Sequence, residues 1–245
     1  MKRIKLVVAY DGTAYHGWQL QPGALTIEGE LNKALSRLLG EQIKVIGASR
    51  TDSGVHALGN VAVFDTECRI PAEKLSYALN QKLPEDIRIQ SSCEVEPDFH
   101  PRHCGSRKTY EYRILCREFP QPVKRLYSYF TYHKLDVKRM QEAAAYLVGE
   151  HDFKSFCSVN TVVESTVRRL DSVAVEEQGE EIVIRVRGNG FLYNMVRIIA
   201  GTLMEVGMGK TEPEELPGIL NALDRQAAGP TAPAGGLTLV QYEFL

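Results

Sequence analysis

Gly47-Ala48-Ser49-Arg50-Thr51-Asp52-Ser53-Gly54-Val55-His56-Ala57-Leu58-Gly59-Asn60-Val61-Ala62-Val63-Phe64 is the stretch on which the reading of this chain turns. Its apolar ends predict strands. Between Ile46 and Val61 the sequence becomes polar and rich in glycine, as a loop at a strand's mouth would be. Asp52 stands at the centre, two residues after Arg50 and two before Gly54. A carboxylate is a usable nucleophile when a neighbouring cation keeps it ionised and a rigid scaffold aims it, and Arg-x-Asp supplies both in one loop. Thr-Asp-Ser-Gly is equally ordinary turn chemistry, with Asp and Ser bonding nearby backbone and Gly taking positive φ, so four letters alone do not choose between turn and site.

Two other chemistries fit parts of the chain. Asp52-Ser53-Gly54 matches the Asp-Ser/Thr-Gly triplet of aspartic proteases, but two carboxylates must share a proton there, and this chain has one such loop. Gly188-Asn189-Gly190 opens like a dinucleotide fingerprint and fails at Tyr193, where the sixth position requires glycine.

Outward from the loop, hydrophobic periodicity lays out two halves. Lys2 to Tyr10 predicts a strand; Thr26 caps a helix apolar at Ile27, Leu31, Ala34, Leu35, Leu38 and Leu39, which Gly40 ends. Ile43 to Gly47 and Asn60 to Asp65 predict strands flanking the loop, Pro71 starts a second helix, and Ile87 to Val95 returns as a strand. The order is βαββαβ, a ferredoxin-like arrangement. The second half repeats it: a strand at Lys108 to Leu115, a helix capped by Asp136, strands at Thr166 to Val175 and Glu181 to Arg187, a long helix from Phe191 to Val206, a short one from Pro213 to Leu220, and a last strand at Leu237 to Phe244. The expectation is an α+β chain of two ferredoxin-like halves, residues 1–103 and 104–245. Their sheets would join into one mixed, mainly antiparallel sheet, with helices on one side and an open cleft on the other. The same topology serves the common RNA-recognition module, so a non-catalytic tandem RNA-binding protein competes, although its aromatic strand signature is missing from Asn60–Phe64 and Glu181–Ile184.

Composition narrows the partners. The 245 residues carry a net charge of −2, with no global sign of nucleic-acid binding. From His100 to Arg139, however, ten Lys/Arg face three acids, interleaved with Tyr110, Tyr112, Phe119, Tyr127, Tyr129, Phe130 and Tyr132, a mixture suited to unpaired bases and phosphates and equally to a solvated face over core tyrosines. Five cysteines without a Cys-x-x-Cys pair suggest a reduced, cytoplasmic protein, and His100, His103 and Cys104 are poorly spaced for a metal. No apolar run of about 18 residues is present, so no membrane association is expected.

From end to end the chain resembles the TruA-type tRNA pseudouridine synthases, which isomerise uridines at tRNA positions 38–40. The matching blocks are Tyr10-Asp11-Gly12-Thr13-Ala14-Tyr15-His16-Gly17-Trp18-Gln19, Ser49-Arg50-Thr51-Asp52-Ser53-Gly54-Val55-His56-Ala57, Phe99-His100-Pro101-Arg102, Lys108-Thr109-Tyr110-Glu111-Tyr112, Gly190-Phe191-Leu192-Tyr193-Asn194-Met195-Val196-Arg197 and Gly236-Leu237-Thr238-Leu239-Val240. The resemblance implies Asp52 as catalytic carboxylate, Tyr110 stacked on the target base, and Arg197 paired with the Asp. It implies Arg50 taking the flipped nucleotide's place, with His56, Arg102, Arg107 and Lys108 among the substrate-binding residues. It further implies no cofactor and no metal, tRNA bound at the anticodon stem-loop and elbow, and a homodimer. One departure is visible: the family's usual Gly-Arg-Thr-Asp-Ala-Gly reads here with Ser49 for the first glycine and Ser53 for the alanine, which would restrict the loop if residue 49 needs positive φ.

Overall fold

A computed structural model describes residues 1–159 and 163–245, which fold as two compact units: Met1–Gly105 with Leu239–Leu245, and Ser106–Thr238.

In the first unit, strand β1 (Lys2–Tyr10) lies antiparallel between β3 (His56–Thr66) and β4 (Ile87–Val95), Ile4 facing Phe64 on one side and Glu94 on the other. The alternation seen in the sequence is the reason: Ile4, Leu6, Val8 and Tyr10 all point inward and are buried. The short β2 (Ile46–Gly47) pairs with Val63 and Ala62, and β10 (Leu237–Phe244), which from Leu239 onward belongs to this unit, lies beside β3. Helix α1 (Ile27–Leu39) starts where Thr26 Oγ1 accepts the Gly29 N–H at 3.2 Å and ends at Gly40. Its inner face buries Ile27, Leu31 and Leu35, each contributing about 1.5–3 kcal/mol, and it contacts α2 (Leu75–Asn80), which follows a turn of 3-10 helix at Ala72–Lys74.

The second unit has the strand order β5 (Ser106–Cys116), β9 (Glu181–Gly188), β8 (Val167–Gln178) and β7 (Gly149–Asp152), paired antiparallel, with β6 (Tyr129–Thr131) added parallel to β5. Helices α3 (Val137–Ala145) and α4 (Met195–Gly207) pack on each other. Helix α4 is apolar nearly all round and almost wholly buried. Helix α5 (Leu216–Ala222) follows another 3-10 turn.

The chain is α+β, and in chain order its elements read βαββαβ twice, the second time with β6, β7 and α5 added and with β10, most of which belongs to the first unit, as the last strand. Local expectations change: the strand expected from Ile43 is confined to Ile46–Gly47, and the loop and the start of α4 differ as well. The central loop is shorter than expected, because His56 to Gly59 already belong to β3, with Ala57 paired to Tyr10. Between Val8 and Tyr10 the β3 partner shifts from Asn60 to Ala57, so β3 carries an extra residue there, a bulge that re-aims the strand as it leaves the loop. Helix α4 begins at Met195 rather than Phe191, because Asn194 takes a left-handed backbone (φ 61°) that no continuous helix admits.

Candidate active site

The loop from Ala48 to Val55 is built from both of its ends and clasped by the segment after β1. Trp18 N–H donates to Thr51 O at 3.0 Å, while Gly54 N–H and Ser53 Oγ both donate to Tyr15 O at 3.2 Å. Val55 N–H returns to Asp52 O at 3.1 Å, closing a turn in which Gly54 supplies the positive φ of 77°. The Asp11-Gly12 turn presses so close that a β-carbon on Gly12 would stand 2.0 Å from Val55 O. Asp52 is thereby half-buried on a fixed backbone, with Arg50 exposed two residues before it.

Beneath the loop lies a buried polar network that the sequence analysis missed. Asn60 is fully buried and reads the Ser49 backbone twice, accepting its N–H at 3.2 Å and donating to its carbonyl at 2.9 Å. The same amide donates to Tyr10 Oη at 3.3 Å, and Tyr10 Oη is hydrogen-bonded to Thr51 Oγ1 at 2.7 Å. Burial pushes the Tyr10 phenol well above its ordinary pKa, so it stays protonated and able to donate. An unpaired amide in such a place costs several kcal/mol, and here every partner is a loop atom or a neighbour of the loop. One signal was present in the sequence: Asn60 is a lone amide at the head of the apolar run Val61–Phe64.

Ser49 needs no left-handed conformation, since among the described residues the non-glycine positions with positive φ are Asn194 and Leu223. Its hydroxyl is buried without a hydrogen-bond partner. Ser49→Ala is therefore expected to stabilise the fold by about 1 kcal/mol, raising Tm by roughly 2–4 °C in a thermal melt.

His56 is 4% exposed and turned toward the Asp11-Gly12 turn: its Nδ1 accepts the Gly12 N–H at 3.0 Å and lies 3.1 Å from Asp11 Oδ1. In this position it braces the loop's exit rather than presenting its ring to solvent. Arg50 and Arg102 come together at the loop's entry. Arg102 Nε donates to Gly47 O at 2.7 Å, and Arg50 Nη1 to Gln19 at 3.4 Å. Desolvation first, and then the Arg50 charge, lower the Arg102 pKa from its ordinary value. Two guanidinium groups held within each other's field form a place that favours an anion.

In the second unit, Tyr110 on β5 is 8% exposed and meets the Phe191 ring edge-on, centroids 5.0 Å apart. Strand alternation puts Lys108 and Tyr112 on the face of Tyr110 and Arg107 on the other, where its Nε lies 2.5 Å from Asp171 Oδ2. Arg197, in the first turn of α4, donates from Nε to Ala232 O at 2.7 Å and from Nη1 to Asn194 Oδ1 at 2.8 Å. Part of the excess of positive charge between His100 and Arg139 is answered in space. Arg107, Arg113, Arg117, Lys124 and Arg139 each pair with a carboxylate, among them Glu111, Asp171, Glu180, Glu181 and Glu212. Phe119, Tyr127 and Tyr132 remain exposed from that segment.

His100 and His103 stack face to face, ring centroids 3.9 Å apart, and among the described residues no group of three His, Cys, Asp or Glu side chains is placed to hold a metal ion. No helix among the described residues is long and apolar enough to cross a membrane.

A sequence profile described as tRNA pseudouridine synthase matches residues 6–103 and 143–244. The chain belongs to the tRNA pseudouridine synthase family. Among the similar curated proteins of this family, tRNA pseudouridine synthase A of Brevibacillus brevis is 51% identical over 244 residues, and that of Ruminiclostridium cellulolyticum 50% over 245. The Acetivibrio thermocellus protein of the same name is 48% identical over 244 residues, and in all three the match covers 100% of both chains. The family profile spans Arg50, Asp52, His56, Arg102 and Arg197; Arg107, Lys108 and Tyr110 fall between its two matched segments and are covered by the full-length relatives.

Proposed function

We propose that the protein isomerises uridine to pseudouridine in the anticodon stem-loop of tRNA, at positions 38–40, with Asp52 as the catalytic carboxylate. The observation that carries this reading is the Asp52 loop itself: a half-buried carboxylate on a backbone clasped by Tyr15, Trp18 and Asn60, in a chain of the pseudouridine synthase family. The reaction breaks the N1–C1′ bond, turns the uracil and joins C5 to C1′; C5 loses a proton and N1 gains one. It is redox-neutral and internal to the nucleotide, so it needs no cofactor. Asp52 attacks the sugar or the base, or assists elimination. Tyr110, backed by Phe191, stacks on the target base, and Arg197 keeps the carboxylate ionised. Arg50 fills the place of the flipped nucleotide, at a cost of a few kcal/mol of unstacking that a loop or stem end reduces. The protein works in the cytoplasm as a homodimer on tRNA, with Lys108 and other cations of the second unit assisting along the stem.

The paired guanidiniums of Arg50 and Arg102 are read as a phosphate seat. Arg102→Ala is expected to weaken tRNA binding and to lower the slope of log K against log salt by roughly 1, measured by filter binding across a salt series. An unchanged slope would remove Arg102 from the phosphate-binding set. The experiment for the reading as a whole is sequencing of the anticodon arm after incubation with the protein, with pseudouridine expected at positions 38–40 and absent with Asp52→Ala.

A further inference from the structure

We infer that Asn194 is a positioning residue for Arg197: it accepts strained backbone and forgoes its own capping bond in order to hold the arginine's guanidinium. This inference rests on the reading of Arg197 as part of the reacting site.

Asn194 is one of two non-glycine residues with positive φ among those described. It is the N-cap of α4, where an Asn side chain ordinarily accepts a backbone N–H from the first turn, and here it makes no such bond. Its amide is committed elsewhere, at both ends. Oδ1 accepts from Arg197 Nη1 at 2.8 Å, and Nδ2 donates to Ser158 Oγ at 2.8 Å, which fixes the amide's orientation.

The arginine gains nothing for the helix by standing there. It lies in the first turn of α4, at the positive end of the helix dipole, where an acid rather than a cation is favoured. Three of the bonds that hold it form a cradle: Asn194 Oδ1 on Nη1, the Ala232 carbonyl on Nε at 2.7 Å, and Ala232 N–H back to Arg197 O at 3.1 Å. The Ala232 side of that cradle is itself clamped to α4. Gly229 N–H donates to Thr202 Oγ1 at 2.9 Å, and Pro230 O approaches Gly201 so closely that a β-carbon would meet it at 1.8 Å. Two bonds in the plane of the guanidinium fix its direction as well as its place, which a single contact would not.

Two functions of Asn194, backbone and amide, separate cleanly. Asn194→Gly keeps the left-handed conformation and loses the amide, whereas Asn194→Ala loses both. Melting temperature, tRNA affinity and single-turnover rate would be measured for each in the wild-type and Arg197→Ala backgrounds. Asn194→Gly is expected to melt near wild type, bind tRNA as well, and lose about tenfold to a hundredfold in rate, with no further loss once Arg197 is alanine. Asn194→Ala is expected to be the less stable of the two. Wild-type rate in Asn194→Gly, or the same fold-loss in both backgrounds, would overturn the inference, because Asn194 would then serve only the helix start. Wild-type rate in Arg197→Ala alone would overturn the reading of Arg197 and this inference with it, and is told apart from the other outcomes by that single variant.

Discussion

Asp52→Asn is expected to lose on the order of 10⁴-fold or more in turnover while the protein folds and binds tRNA as before. The amide has the shape of the carboxylate, and the bond closing the turn runs from Val55 N–H to the backbone oxygen of residue 52, so the substitution leaves the loop's geometry in place. What it removes is the negative charge and the lone pair that attack or deprotonate. Asp52→Glu tests the other half of the argument. It restores the charge but carries it one methylene further on a backbone that Tyr15, Trp18 and Asn60 hold still, and a displacement of about 1 Å is enough to cost roughly a hundredfold. Single-turnover assays on both variants, with circular dichroism and tRNA binding in parallel, check the pair. Turnover by Asp52→Asn within tenfold of wild type would remove Asp52 from the chemistry.

The second large effect arises away from the carboxylate. Gly12→Ala would place a β-carbon 2.0 Å from Val55 O and 2.6 Å from Val55 C, both backbone atoms that cannot swing aside. Either the Asp11-Gly12 turn or the loop must move. The expected result is a loss of roughly 1–3 kcal/mol in stability and about a hundredfold in rate, the rate falling because Asp52 is no longer aimed. Gly59→Ala is the control from the same region: its β-carbon would meet only Val7 Cγ1, at 3.7 Å, and its φ is not positive. That variant is expected to keep wild-type activity and to gain a few tenths of a kcal/mol from the less flexible unfolded chain. Denaturant unfolding should move in opposite directions for the two variants, and the rate should fall in Gly12→Ala alone.

Where the chain repeats a strong local pattern, its sequence was enough to place the element. The alternation of Ile4, Leu6 and Val8, the Thr26 cap and the Gly40 stop give β1 and α1 the same bounds in sequence and structure. The first turn of α4 was not legible in this way: Phe191 and Leu192 continue the helical spacing, but a single left-handed residue, Asn194, interrupts the hydrogen bonding, and asparagine alone does not announce it. Strands β6 and β7 are three and four residues long, too short for a period of two to stand out. The site divides along the same line. Asp52 and its turn chemistry could be read from one loop, whereas the support from Tyr10, Asn60 and His56 depends on contacts across 41 to 50 residues of chain that only the paired strands bring together. Charge was the least legible: the basic run from His100 to Arg139 is matched in part by acids drawn from as far as Glu212, and a sum along the sequence does not see them.

The most direct test of the central reading is tritium release from tRNA carrying [5-³H]uridine in the anticodon arm, with the wild-type protein alone and no added cofactor. Release that matches the pseudouridine formed at positions 38–40 is the expected result. Tight binding of that tRNA with no release from any uridine of the arm would contradict it.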